Sequence, residues 1–82
     1  MVIFLGSYQL ICRAAQGDGP NRGWVADWQI VQIGAASAGG LAGSALAASF
    51  PDHRSAMAAA RVAGMVTLEA MHAEAQRQLE PA

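Results

Sequence analysis

The sequence predicts an all-α protein, an antiparallel helical hairpin of residues 24–50 and 54–79 that follows a short hydrophobic N-terminal segment. Residues 28–50 carry no charge and consist largely of Gly, Ala and Ser. Pro51 interrupts this run, since proline cannot continue a helix without losing a hydrogen bond. Residues 54–79 place apolar side chains at helical spacing. Because the link between the two segments is short, we expect one small helical domain with antiparallel helices.

The N-terminal residues 1–12 are apolar and uncharged. They are too short to span a bilayer, and they lack the basic residues of a signal peptide. Their alternation suits a strand as well as a short helix, and we favour the helix because no second strand is evident. The positions that would share one face are Val2, Phe4, Tyr8, Leu10 and Cys12. Three glycines and a proline in residues 13–23 then predict a loop.

The helix predicted over residues 24–50 would have a broad face of small side chains. Such a small-xxx-small pattern lets two helix backbones approach closely. The predicted helix-packing interface consists of Ala35, Ala36, Gly39, Gly40, Gly43, Ser44, Ala47 and Ala48.

The same segment is a candidate transmembrane span. Glycine costs a helix in water about 1 kcal/mol per residue relative to alanine, whereas in lipid any unpaired backbone costs more. Trp24 and Trp28 at one end are typical of a membrane interface, but Gln29 and Gln32 weaken insertion. We therefore expect a membrane location, with a soluble assembly as the alternative.

The last predicted helix, residues 54–79, begins after Asp52, which can cap it. It carries an apolar stripe that would face either a partner or the core of the protein. The stripe consists of Met57, Met65, Leu68, Met71 and Leu79.

Few residues suggest chemistry. Glu69 and His72 have the spacing of a metal-binding pair on a helix, but the first predicted helix supplies no further carboxylates. His72 beside methionine and leucine also leaves a tetrapyrrole ligand conceivable. Cys12 has no partner in sequence and suits a buried apolar position. We expect no enzyme activity, no cofactor and no metal, with Glu69 and His72 as the weak exception.

The charges limit the class of partner. The chain has five arginines, no lysine and six acidic residues, for a net charge of −1. Nucleic-acid binding needs a clustered basic surface, which this sequence lacks. The expected partners are therefore proteins, other copies of the chain, or a lipid bilayer.

Two functional hypotheses follow. In the first, the chain is a non-catalytic accessory subunit of a membrane complex that docks through its Gly/Ala face. In the second, it is a soluble helical hairpin that assembles with itself as a structural or scaffold protein, such as a virion component. A third and weaker hypothesis is an oligomeric metal-binding protein.

Overall fold

The chain folds as an antiparallel sheet followed by a helix, in a computed structural model that describes residues 1–17, 23–34 and 40–79. Within those residues the sheet has four strands, in the order in which they occur along the chain. The helix packs mainly across the two central strands. The elements are β1 (Val2–Leu5), β2 (Tyr8–Gln16), β3 (Trp24–Gln32), β4 (Ala42–Ala45) and α1 (His53–Leu79).

The two central strands, β2 and β3, pair along their whole length, from Tyr8 opposite Gln32 to Gln16 opposite Trp24. Alternate positions on both strands are buried under α1, whereas the positions between them are more exposed. Successive side chains of a strand point to opposite faces. The sheet therefore has one helix-covered face and one open face. The buried strand residues are Leu10, Cys12, Ala26, Trp28 and Ile30.

A two-residue turn, Gly6 and Ser7, joins β1 to β2 because Leu5 pairs with Tyr8. Gly6 has a φ of 60°, as the first central residue of a type II′ turn requires. Leu5 and Tyr8 lie directly opposite each other, so odd-numbered residues of β1 share a face with even-numbered residues of β2.

This turn overturns two sequence-based predictions. Residues 1–12 contain β1, the turn and the first half of β2 rather than a helix. The predicted common face is also wrong, because Val2 and Phe4 lie on the open face while the later members lie on the helix-covered face. Those later members are Tyr8, Leu10 and Cys12.

Replacing Gly6 by Ala is expected to lower the free energy of unfolding by about 2 kcal/mol or more. A positive φ costs an L-residue about 1–2 kcal/mol, and a Cβ here would lie 2.7 Å from Nδ1 of His72. Gly34→Ala is the matched control, since Gly34 has a φ of 81° but no atom of the described residues within 4 Å of its Cβ position. Urea unfolding should show the larger loss for Gly6→Ala, and equal losses would show that His72 moves away freely.

The last strand, β4, pairs with β3 from Ala45 opposite Asp27 to Ala42 opposite Ile30. A Cβ on Gly43 would lie only 2.9 Å from the carbonyl oxygen of Trp28. Because glycine has no Cβ, this position allows close contact between the backbones of β3 and β4.

The helix α1 begins after the predicted cap. The Oδ1 of Asp52 accepts a hydrogen bond from the backbone N–H of Ser55 at 2.7 Å, and this bond lowers the pKa of the carboxyl group. The stabilisation is therefore present above the ordinary pKa of an aspartate. It is lost as the pH falls through the lowered pKa of the folded state.

The buried side of α1 is narrow and made mostly of small residues. Ala56, Ala60, Gly64 and Leu68 occur at every fourth position, and all four are buried. A Cβ on Gly64 would lie 2.5 Å from Cδ1 of Leu10. The small residues thus bring the helix backbone close to the sheet.

The predicted helical hairpin is wrong. Within the described residues, the segment 24–50 contains β3 and β4 instead of a helix. Trp24 and Trp28 are four residues apart in β3 and lie on its helix-covered face. The ring of Trp24 meets the ring of His53 edge-on at a centroid distance of 5.2 Å. The cause is a two-residue alternation in residues 24–32, which buries every second side chain against α1.

The predicted transmembrane helix is wrong for the same reason. Across residues 1–17, 23–34 and 40–79, no helix combines the length and the apolar character needed to cross a bilayer.

Candidate functional site on the open face of the sheet

The open face of the sheet carries apolar side chains at the end near the β1–β2 turn. In register, Val2 lies opposite Ile11, while Gln9 lies between Phe4 and Val31. Phe4 is 63% exposed and Val2 is 48% exposed, whereas the other two apolar residues are half-buried. We call Val2, Phe4, Ile11 and Val31 the open-face patch. No element of the described chain covers it.

The middle of the open face is polar. Nε of Arg13 donates a hydrogen bond to Oδ1 of Asp27 at 2.9 Å, across paired positions of β2 and β3. Both side chains are largely exposed, so this ion pair contributes about 0–1 kcal/mol to stability. It borders a shallow depression that also includes Gln29, Gly40 and Gly43. Beyond this ion pair, Ala15 lies opposite Val25, which is 43% exposed. The open face is therefore apolar at both ends and polar but neutral in its middle.

The groups that could perform chemistry are sparse in the part of the chain that the structure describes. There, no polar or charged side chain is buried. Cys12 lies under the helix at 2% exposure, and burial raises the pKa of its thiol above the usual value. A protonated, covered thiol is a poor nucleophile. The open face therefore offers an uncovered surface for contact.

The predicted helix-packing residues are distributed over different parts of the molecule. Gly43 and Ser44 lie in β4, Gly40 lies just before it, and Ala47 and Ala48 follow it. None of them lies on a helix, so the helical rows that motivated the prediction do not exist in the described part. Ala35, Ala36 and Gly39 lie outside the described residues. Their contact with a partner stays a prediction.

The predicted apolar stripe of the last helix lies against the sheet. Leu68 is fully buried, and Met57, Met65 and Met71 pack partly buried against the same core. Leu79 ends α1, and its side chain lies outside the described part.

The weak metal candidates, Glu69 and His72, lie on α1 at different depths. Glu69 is exposed, while His72 is half-buried over the β1–β2 turn beside Gly6. Among the residues that the structure describes, no group of three or more His, Cys, Asp or Glu side chains could hold a metal ion.

Sequence reasoning missed the open-face patch. The signal for it was the set of alternate positions in the two central strands that are not buried under α1, where apolar and polar side chains mix.

Neither a family model, nor a curated protein, nor a solved structure matches this chain.

Proposed function

We propose that the chain is a non-catalytic structural protein that assembles with other copies of itself through the open face of its sheet. The observation that carries this proposal is the open-face patch, whose aromatic side chain, Phe4, is 63% exposed. An exposed aromatic ring on a rigid strand is a typical anchor of a protein interface.

The size of the core supports the proposal. Among the described residues, eight apolar residues form the buried core, and three of them are the alanines Ala26, Ala56 and Ala60. Small domains with little buried area often gain stability from oligomerisation. Two open faces packed against each other, as in a β-sandwich, would bury the patch of each copy.

The charges of the open face are compatible with a second copy. Arg13 and Asp27 neutralise each other within one chain. Two identical faces therefore approach without net repulsion in their polar middle, whereas a strongly basic or acidic partner gains no attraction there.

Substituting Phe4 by Asp is expected to weaken self-association by at least about tenfold, because a carboxylate in an apolar interface loses its hydration. Sedimentation equilibrium over a range of protein concentrations measures the effect. Ile33→Asp is the control, since Ile33 is 47% exposed but lies in the turn after β3. The proposal fails if the unmodified protein is monomeric at all concentrations, or if the two variants associate equally well.

A further inference from the structure

The side of α1 that faces away from the sheet is unusually apolar. Val62 is 63% exposed and Val66 is 69% exposed. With Ala58 and Ala70, which are also exposed, they occupy every fourth position. We call Ala58, Val62, Val66 and Ala70 the outer stripe. A helix that is apolar on both sides is typically covered on both sides, and the sheet covers only one.

Beside the outer stripe runs a row of residues with a positive charge at one end and a negative charge at the other. Arg61, Met65 and Glu69 form a parallel row, and with Val62 and Val66 they line one shallow groove. Arg61 lies toward the N-terminal end of the groove and Glu69 toward its C-terminal end. Within the described residues, neither side chain takes part in an ion pair.

We infer that this groove is a self-complementary interface, in which α1 of a second copy packs antiparallel on the outer stripe. A two-fold axis between Val62 and Val66 places the two valines of one helix on those of the other. Residues advance by about 1.5 Å along a helix, so Arg61 lies about 4.5 Å before the centre and Glu69 about 7.5 Å after it. Along the helix axis, Arg61 of one copy and Glu69 of the other are therefore offset by about 3 Å. This offset is within the reach of an arginine side chain, so each Arg61 meets the carboxylate of Glu69 in the other copy.

The charge pattern selects both the occupant and its direction. In a parallel, in-register dimer the edge of the stripe that carries Arg61 and Glu69 would face the opposite edge of the partner helix, which holds Ala59 and Ala63, so neither charge would be paired. The antiparallel arrangement makes two attractive pairs with one surface, as an isologous dimer requires. This interface lies on the opposite side of the molecule from the open-face patch, so it does not depend on the proposed function.

A charge exchange tests the inference in the Phe4→Asp background, which isolates the helix interface. Arg61→Glu and Glu69→Arg are each expected to weaken dimerisation roughly tenfold, because two rim pairs change from attraction to repulsion. The double variant restores both pairs and should dimerise within about threefold of its background. Both positions are exposed, so circular dichroism should show unchanged folding in all variants.

Val66→Asp provides an independent readout, since it places a charge at the centre of the outer stripe and should abolish dimerisation in the same background. Matched to it, Val25→Asp alters a 43% exposed valine of β3 and should leave the helix dimer intact. A monomeric Phe4→Asp protein whose parent associates would overturn this inference and leave the proposed function standing. Failure of the double variant to recover would overturn it as well.

Discussion

Leu68→Ala is expected to lower the free energy of unfolding by about 3–5 kcal/mol, in the upper part of the range measured for buried leucines. In the described part of the chain, Leu68 is the only large side chain of α1 that is fully buried. Its small neighbours on the helix cannot fill the cavity that it leaves. A domain of this length has about 4–12 kcal/mol of stability in total, so this one side chain decides whether the helix stays on the sheet.

Thermal unfolding measures this loss. At about 4–8 °C per kcal/mol for a domain of this size, the midpoint should fall by at least about 12 °C. Ile33→Ala removes the same number of carbon atoms from a residue that is 47% exposed, and it should change stability by less than about 1 kcal/mol. Similar losses in the two variants would contradict the packing described for α1.

Gly64→Leu is expected to destabilise the protein by about 3 kcal/mol or more. A Cβ at position 64 would lie 2.5 Å from Cδ1 and 3.3 Å from Cγ of Leu10, which is fully buried and cannot withdraw into solvent. Overpacking of a core costs about 1–3 kcal/mol and more when a whole side chain is inserted. The gain in helix propensity, about 1 kcal/mol, offsets only part of this cost.

Urea unfolding of Gly64→Leu and Gln76→Leu separates packing from propensity. Gln76 is exposed on the same helix, so leucine there should leave stability nearly unchanged. If Gly64→Leu were as stable as the unmodified protein, the close approach of α1 to β2 would be incorrect.

The location of the last helix and its cap could be predicted from local signals. Pro51 stops the preceding element, Asp52 caps the next one, and the residues that follow favour a helix. These signals depend on neighbours in sequence, and tertiary contacts do not override them here.

The strands could not be separated from helices by the same means, although a signal was present. Ala26, Trp28 and Ile30 alternate with Asp27 and Gln29, which indicates a half-buried strand. The glycines after them favour a membrane helix only if their cost in a helix in water is taken to require lipid. The cost of glycine in a helix argues equally against any helix here. In the structure Gly43 lies in the extended strand β4 beside β3, where this helix cost does not arise.

The candidate site could not be predicted because its residues come together only through the turn at Gly6. Phe4 and Val31 belong to strands that are not sequence neighbours, and β2 lies between them. Because the two-residue turn places Leu5 opposite Tyr8, even-numbered residues of β1 lie on the face opposite to even-numbered residues of β2, and Phe4 lies on the open face. Without knowledge of that turn, the alternation places it in the core.

The order of the elements has a consequence for how the protein is made. All four strands precede α1 in the chain, so a ribosome completes the sheet before the helix that covers it. At about 5–20 residues per second, the 27 residues of α1 take about 1–5 s to synthesise. Hairpins form in microseconds, so strands that have left the ribosome expose Leu10 and Ile30 on one face of the sheet and Phe4 on the other until α1 also emerges. We therefore expect stable folding only after translation of α1, and the nascent chain should be a substrate for chaperones that bind apolar segments.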